Sequence, residues 1–304
     1  MIKKPLNKFL FKALLFVIPV FLFFEILFRL GFSPIVTNST LFDLKMLKVQ
    51  QQHIKKASLL SMGSSINLYE LNSNIVVQNI HLSYYNFASW GLQMVDLDPL
   101  VKDFVKTYHP KYVVICSSFP EFISPKNNSY LNYINANGFL KNYFPELFYF
   151  KNYNSLHQVV RRKLTTYPLN LDNWGGATLR IKQKDIDRQK WNEHDIFPTR
   201  YTQANYNALD SISTFLNAQK VKFIFVQAPI KESYTNTPLS KQLIQLHFER
   251  CKSIVERRGG IYLNYYNPVV FTDSLFFDQY HLQDTGAVIF TKEVVADLKK
   301  IIDN

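Results

Sequence analysis

The chain has 304 residues and a formal net charge of +12, with 47% apolar and 19% charged residues. Less an apolar N-terminal stretch, that length suits one large domain or two small ones, and the balance excludes an intrinsically disordered chain. The basic balance suits acidic partners such as anionic lipid or anionic polymers; it also fits a role in solubility alone, and charge by itself does not exclude nucleic acid. Cys116 and Cys251 make neither a metal spacing nor a disulfide framework, and spacing leaves a single bridge between them open.

Lys3, Lys4 and Lys8 precede an apolar run from Phe9 to Phe32 in which the only charges are Lys12, Glu25 and Arg29. As a helix that run spans roughly 36 Å, enough to cross a bilayer core. Lys12 can snorkel to the headgroups, and Glu25 and Arg29 can pair at i, i+4. The uninterrupted apolar core, Ala13 to Phe24, is short and would also suit a signal peptide. No small-x-small cleavage site follows it, so an uncleaved signal anchor is the preferred reading. The preceding lysines put the N-terminus in the cytoplasm and residues beyond 33 on the other side.

The chain divides into an anchor over 1–33, a linker over 34–55 with a short helix around Leu41 to His53, and a folded domain over 56–304. Leu59 to Met62 reads as a strand stopped by Gly63, with a helix beginning near Ile66. Leu82 to Ala88 is a second strand, ending at Ser89-Trp90-Gly91. Gln93 to Tyr108 carries apolar residues at helical spacing, and Tyr112 to Cys116 is apolar throughout, as in a parallel strand covered on both faces. Residues 122–200 lose this rhythm and read as a helical or irregular insertion, a candidate lid, with a Trp174-Gly175-Gly176 turn. The alternation resumes with a helix over Tyr201 to Gln219, a strand over Val221 to Val226, a helix over Leu239 to Arg258, a strand over Ile261 to Asn264 and a helix over Thr285 to Ile302.

Such alternation implies a parallel sheet with right-handed crossovers and helices on both faces. Sites in these sheets lie at the carboxyl ends of the strands. Ser65 follows the first strand, Gly91 the second, Phe119 to Glu121 the third, and Asp278 and His281 the last. A serine, a histidine and an aspartate are the parts of a nucleophilic triad. The three-residue spacing of Asp278 and His281 puts both side chains on one side of a turn. The remaining histidines, His53, His81, His109, His157, His194 and His247, lack such a setting and read as structural or surface residues. Arg161-Arg162-Lys163 and Lys182 to Lys190 read as solvated charge runs, with contact to an anionic polymer or headgroups as the alternative.

Gly63-Ser64-Ser65, Gly91 and Asp278-x-x-His281-Leu282, in this order, resemble the blocks of the SGNH, or GDSL-like, hydrolase superfamily over about residues 56–302, the insertion apart. The nearest resemblance is to its membrane-anchored branch, which includes the D-alanine transfer protein of teichoic acid synthesis and the alginate O-acetylation proteins. The resemblance implies a flavodoxin-like three-layer α/β/α sandwich. Ser65 would be the nucleophile, with Ser64 where the superfamily has Asp, and Asp278 and His281 would complete the triad. The backbone N–H groups of Ser65 and Gly91 would form the oxyanion hole. The third block should supply an Asn to that hole, and Ser117-Ser118-Phe119-Pro120-Glu121 has none. Either a substitute donor serves, with Ser64 and Ser118 as auxiliary candidates, or activity is reduced or lost; one such donor is worth about a hundredfold or more in rate.

The function so implied is that of an extracytoplasmic acyl esterase or O-acyltransferase on the bacterial cytoplasmic membrane. It would act on O-acyl groups of an envelope polysaccharide, beside a membrane-bound O-acyltransferase. No metal, cofactor or nucleic acid is called for. A non-catalytic glycan-binding or scaffold module on the same fold is the alternative, and a lipid esterase with an apolar acyl groove is a third.

Overall fold

Five short runs form one parallel sheet, four of them buried on both faces and the last, Ile261–Asn264, only partly buried at the sheet edge. A computed structural model describes residues 3–30, 32–34, 37, 39–123, 130, 133–134, 159–160, 171–179, 197–198 and 200–303. The strands are β1 (Leu59–Met62), β2 (Tyr84–Asn86), β3 (Tyr112–Ser117), β4 (Lys222–Gln227) and β5 (Ile261–Asn264). Their spatial order is β2-β1-β3-β4-β5, and every neighbouring pair is parallel. The chain runs outward from β1 to β2, then returns past β1 to β3. The switch point, where such sheets open a crevice, therefore lies between the carboxyl ends of β1 and β3.

The helices are α1 (Lys3–Arg29), α2 (Thr40–Gln51), α3 (Ser65–Glu70), α4 (Ser73–Asn79), α5 (Met94–Tyr108), α6 (Gln203–Ala218), α7 (Pro238–Glu256) and α8 (Asp284–Asp303). On one face α3, α4 and α8 pack together over Leu59, Val114, Cys116, Ile224 and Val226. The alternate residues Leu60, Val113, Ile115, Phe223 and Phe225 are equally buried, toward the layer of α5, α6 and α7. Each such side chain contributes about 1.5–3 kcal/mol of burial, so strands of only three to six residues hold the sheet.

Two elements differ from the sequence expectation. The second strand is shorter than Leu82 to Ala88 because it lies at the sheet edge and turns at Asn86. Helix α4 went unforeseen: its seven residues are too few for a periodic pattern. The available signal was Asn72, whose side chain accepts from the amides of Asn74 and Ile75 and caps it.

The chain divides into two units. Met1–Ile54 with Ser129–Thr165 makes the first, in which Ser33–Pro34 pairs antiparallel with Val159–Val160 and Thr37 hydrogen-bonds Asp43. Within α1, Pro5–Leu27 is long and apolar enough to cross a membrane, and Glu25 pairs with Arg29 at 2.8 Å. Lys55–Asn128 with Thr166–Asn304 makes the second unit, which carries the five-stranded sheet. Within it, the Trp174-Gly175-Gly176 turn covers the outer edge of β2. The Asn86 amide donates to Trp174 O at 2.7 Å, and the Asp172 carboxylate accepts from the Trp174 and Gly176 amides. A sheet edge that would otherwise be open is closed in this way. The lid expected over 122–200 falls mostly outside the described residues, as do the basic runs at 161–163 and 182–190.

Candidate active site

The turn after β1 can be made only with glycine at its first position. Gly63 has φ +154°, and a Cβ there would lie 2.6 Å from both Cys116 O and Asn67 Cβ. Ser64 follows as the N-cap of α3: its Oγ accepts from the Ile66 amide (3.2 Å) and its carbonyl from the Leu68 amide (3.1 Å). Two more bonds grip the turn from either side. Gly63 O accepts from the Ser89 amide (3.1 Å), and the Ser64 amide donates to Glu121 Oε1 (3.1 Å). Ser65 is the first residue of α3, so its N–H has no acceptor within the helix.

Asp278 and His281 sit on the loop after β5, which leads into α8. The loop is closed by the Phe277 amide donating to His281 O (2.7 Å) and tied to the segment after β4 by the Lys231 amide donating to Gln279 O (3.1 Å). His281 Nδ1 lies 2.7 Å from Asp278 Oδ2, and His281 Nε2 lies 2.8 Å from Ser65 Oγ. Ser65, placed 216 positions from His281, is thus joined to the pair. Asp278 Oδ1 accepts from the amides of Tyr280 (3.0 Å) and His281 (2.8 Å). Burial pushes Asp278 up, but the His281 imidazole and these hydrogen bonds outweigh it and hold the carboxyl below its ordinary range. The carboxylate fixes the proton on Nδ1 and leaves the Nε2 lone pair facing the serine hydroxyl. Tyr69 meets the imidazole edge-on at 5.8 Å, Tyr280 lies 4.7 Å from it, and Trp90 Nε1 donates to Tyr69 Oη at 2.5 Å.

Gly91 follows Ser89-Trp90 in the loop that the Ser89 amide fastens to the nucleophile turn. Its φ of +69° requires the left-handed region, and a Cβ there would meet nothing within 4 Å. The third segment, Ser117 to Glu121, enters a 3-10 turn over Phe119–Phe122. The Ser118 amide donates to Glu121 Oε2 (3.2 Å), and its hydroxyl faces Gln227 Nε2 at 3.5 Å. The hydroxyls of Ser64 and Ser118 thus serve helix capping and the Gln227 contact.

Sequence reasoning missed four buried polar residues that tie the strand ends together. Asn67 Oδ1 accepts from Ser61 Oγ (2.9 Å) and the Cys116 amide (3.1 Å), and its Nδ2 donates to Asn86 Oδ1 (3.1 Å). Asn86 Oδ1 also accepts from the Ala88 amide (2.9 Å). Three neighbouring strands are thereby locked two residues beyond the serine. Glu121 is the third. Glu70 is the fourth: Oε1 accepts weakly from the Leu282 amide (3.4 Å), and Oε2 has no hydrogen bond among the described residues. Burial, with Asp278 and Glu121 nearby, pushes Glu70 well up. A polar residue inside an apolar strand, as at Asn86, was the one usable signal. Cys116 and Cys251 are buried free thiols, which answers the open disulfide question. Among the described residues no group of three or more His, Cys, Asp or Glu could hold a metal ion.

No family model matches the sequence, and no significant match to a curated protein was found. Similar solved structures include an acetylxylan esterase from Geobacillus stearothermophilus, at TM-score 0.43 and 13% identity, covering 78% of this chain and 92% of that one. A GDSL-like lipase from Bacteroides thetaiotaomicron gives TM-score 0.42 and 14% identity over 81% of this chain and 90% of that one. The psychrotrophic esterase EstA from Pseudoalteromonas gives TM-score 0.43 and 12% identity over 81% and 98% respectively.

Proposed function

We propose that the chain is a membrane-anchored serine esterase or O-acyltransferase that acts on O-acyl groups of an envelope polysaccharide. The observation that carries the catalytic part is the unbroken Ser65–His281–Asp278 chain, with links of 2.8 and 2.7 Å. His281 Nε2 takes the hydroxyl proton as Ser65 Oγ attacks the ester carbonyl. Asp278 keeps the imidazole in the correct tautomer and stabilises its charged form. The Ser65 and Gly91 amides receive the oxyanion. His281 then protonates the departing alcohol, and the acyl-serine passes its acyl group to water or to a sugar hydroxyl. The polysaccharide substrate, the extracytoplasmic placing of the domain and a membrane-bound O-acyltransferase as partner follow from the sequence resemblance and the apolar span of α1. A glycan-binding scaffold is the second reading, favoured by the lack of an Asn among Ser117 to Glu121.

The test is a fluorophosphonate serine probe on the full chain in detergent, with release of nitrophenol from its acetate ester in parallel. Labelling should be abolished in Ser65→Ala, cut at least about a hundredfold in His281→Ala, and kept in Ser64→Ala. A folded wild type that neither labels nor hydrolyses sinks the catalytic reading.

A further inference from the structure

We infer that Glu121 is a positioning residue for this acyl transfer: its carboxylate holds the Gly63-Ser64-Ser65 turn so that the Ser65 amide is presented to the oxyanion. The inference rests on the proposed catalytic reading.

Glu121 is 2% exposed and sits in the 3-10 turn after β3. Its Oε2 bond to the Ser118 amide is the local capping contact that a Glu three residues into a turn makes for itself. The bond from Oε1 to the Ser64 amide is different. It crosses 57 positions to the end of β1, and capping does not require it. The nearby hydroxyls of Ser117 and Ser64 also favour the charged form of this carboxyl. A buried carboxyl is costly unless it is bonded, so two amides from different segments, one on each oxygen, make a built clamp.

The clamp acts on the peptide next to the one that presents the Ser65 amide. Gly63 O is held by Ser89, the Ser64 amide by Glu121, and Ser64 O by Leu68. The Gly63–Ser64 peptide is thereby fixed at its oxygen by Ser89 and at its N–H by Glu121, and the Ser64–Ser65 peptide, whose N–H would meet the oxyanion, is fixed at its oxygen by Leu68. Donors to an oxyanion work by being oriented before the charge develops. The negative charge of Glu121 itself opposes an oxyanion, so the group is a net gain only through the geometry it fixes.

Charge state bears on the clamp. Burial raises Glu121 to about 7, against the lowering effect of the Ser117 and Ser64 hydroxyls and the Ser64 and Ser118 amides. On protonation one oxygen becomes a donor and accepts from an amide much more weakly. The titratable groups facing it are Glu70 of α3, itself close to Asp278, and the Cys116 thiol of β3, which burial keeps protonated. From β4 it is approached through Ser118 by the neutral Gln227.

The experiment compares wild type with Glu121→Gln as full chains in detergent, following nitrophenyl acetate hydrolysis and phosphonate labelling from about pH 5 to 9. Gln keeps one acceptor and loses the other. The expected result is a kcat lower by about tenfold to a hundredfold, with KM within about twofold and labelling slowed in parallel. Below about pH 7 the wild type should lose activity as Glu121 takes up its proton, and the variant should lose less over the same range. A variant as fast as wild type, or faster, with the same pH profile overturns the inference. An inactive wild type takes down the catalytic reading and this with it, whereas an active wild type matched by Glu121→Gln overturns this alone. If the variant does not fold, difference infrared spectra of the wild type decide. A buried-carboxyl band lost near pH 7 together with a gain in kcat supports the clamp, and a band lost with no change in kcat overturns it.

Discussion

At the serine, reactivity turns on which imidazole nitrogen carries the proton. Asp278 accepts at 2.7 Å from Nδ1 while two backbone amides hold its other oxygen, so the carboxylate cannot swing away from the ring. Asp278→Asn keeps the shape and presents an amide NH2 to Nδ1. The ring then carries its proton on Nε2, toward the hydroxyl it should deprotonate. The expected outcome is a kcat for nitrophenyl acetate lower by about a thousandfold or more, with KM little changed. A loss below about tenfold would mean that Asp278 does not set the tautomer.

At the scale of the turn, two glycines with positive φ do different work. Gly63 is hemmed in by the backbone of β3 and the base of Asn67, whereas Gly91 faces open space. Gly63→Ala should therefore cost about 2–4 kcal/mol, from strain and a clash with backbone that cannot give. Gly91→Ala should cost only the left-handed penalty, about 1–2 kcal/mol. Urea midpoints of the two full chains in detergent test the order, and equal losses would contradict the packing described here. The Asp-x-x-His pair and the Gly turn were legible in the sequence because each is a local pattern. Asn67, Asn86 and Glu121 were not, because their partners lie 19, 49 and 57 positions away.

Across the whole molecule, the seam between α6 and α7 buries a histidine with no access to solvent. His247 Nδ1 lies 2.8 Å from Tyr206 Oη, with Cys251 and the rings of Phe119 and Phe122 around it. Burial, aided by the Arg250 charge, takes it down to about 3 from 6.5. Its folded value is depressed, so the unfolded chain binds the extra proton: the stability it contributes is present above about 6.5 and lost as pH falls toward 3. Glu121 works the other way. Its folded value is raised to about 7 from 4.5, so its contribution is present below 4.5 and lost as pH rises through 7. His247→Gln should be less stable than wild type at pH 7, yet lose less between about pH 6.5 and 4. Denaturant midpoints over that range check this, and parallel curves would remove His247 from the acid response.

The sequence by itself determined the strand–helix alternation, the apolar span near the N-terminus, the Gly63 turn and the Asp278–His281 pair. Each depends on periodicity or spacing within a few residues. Only the tertiary structure decided that β1 lies between β2 and β3. That neighbourhood sets Glu121 against the Ser64 amide, the packing of α8 on α3 brings His281 to Ser65, and the placing of Cys116 on β3 and Cys251 on α7 leaves both as free thiols. The reason is physical: strand order is chosen by which buried faces match across the whole sheet, and no short window of sequence contains both faces.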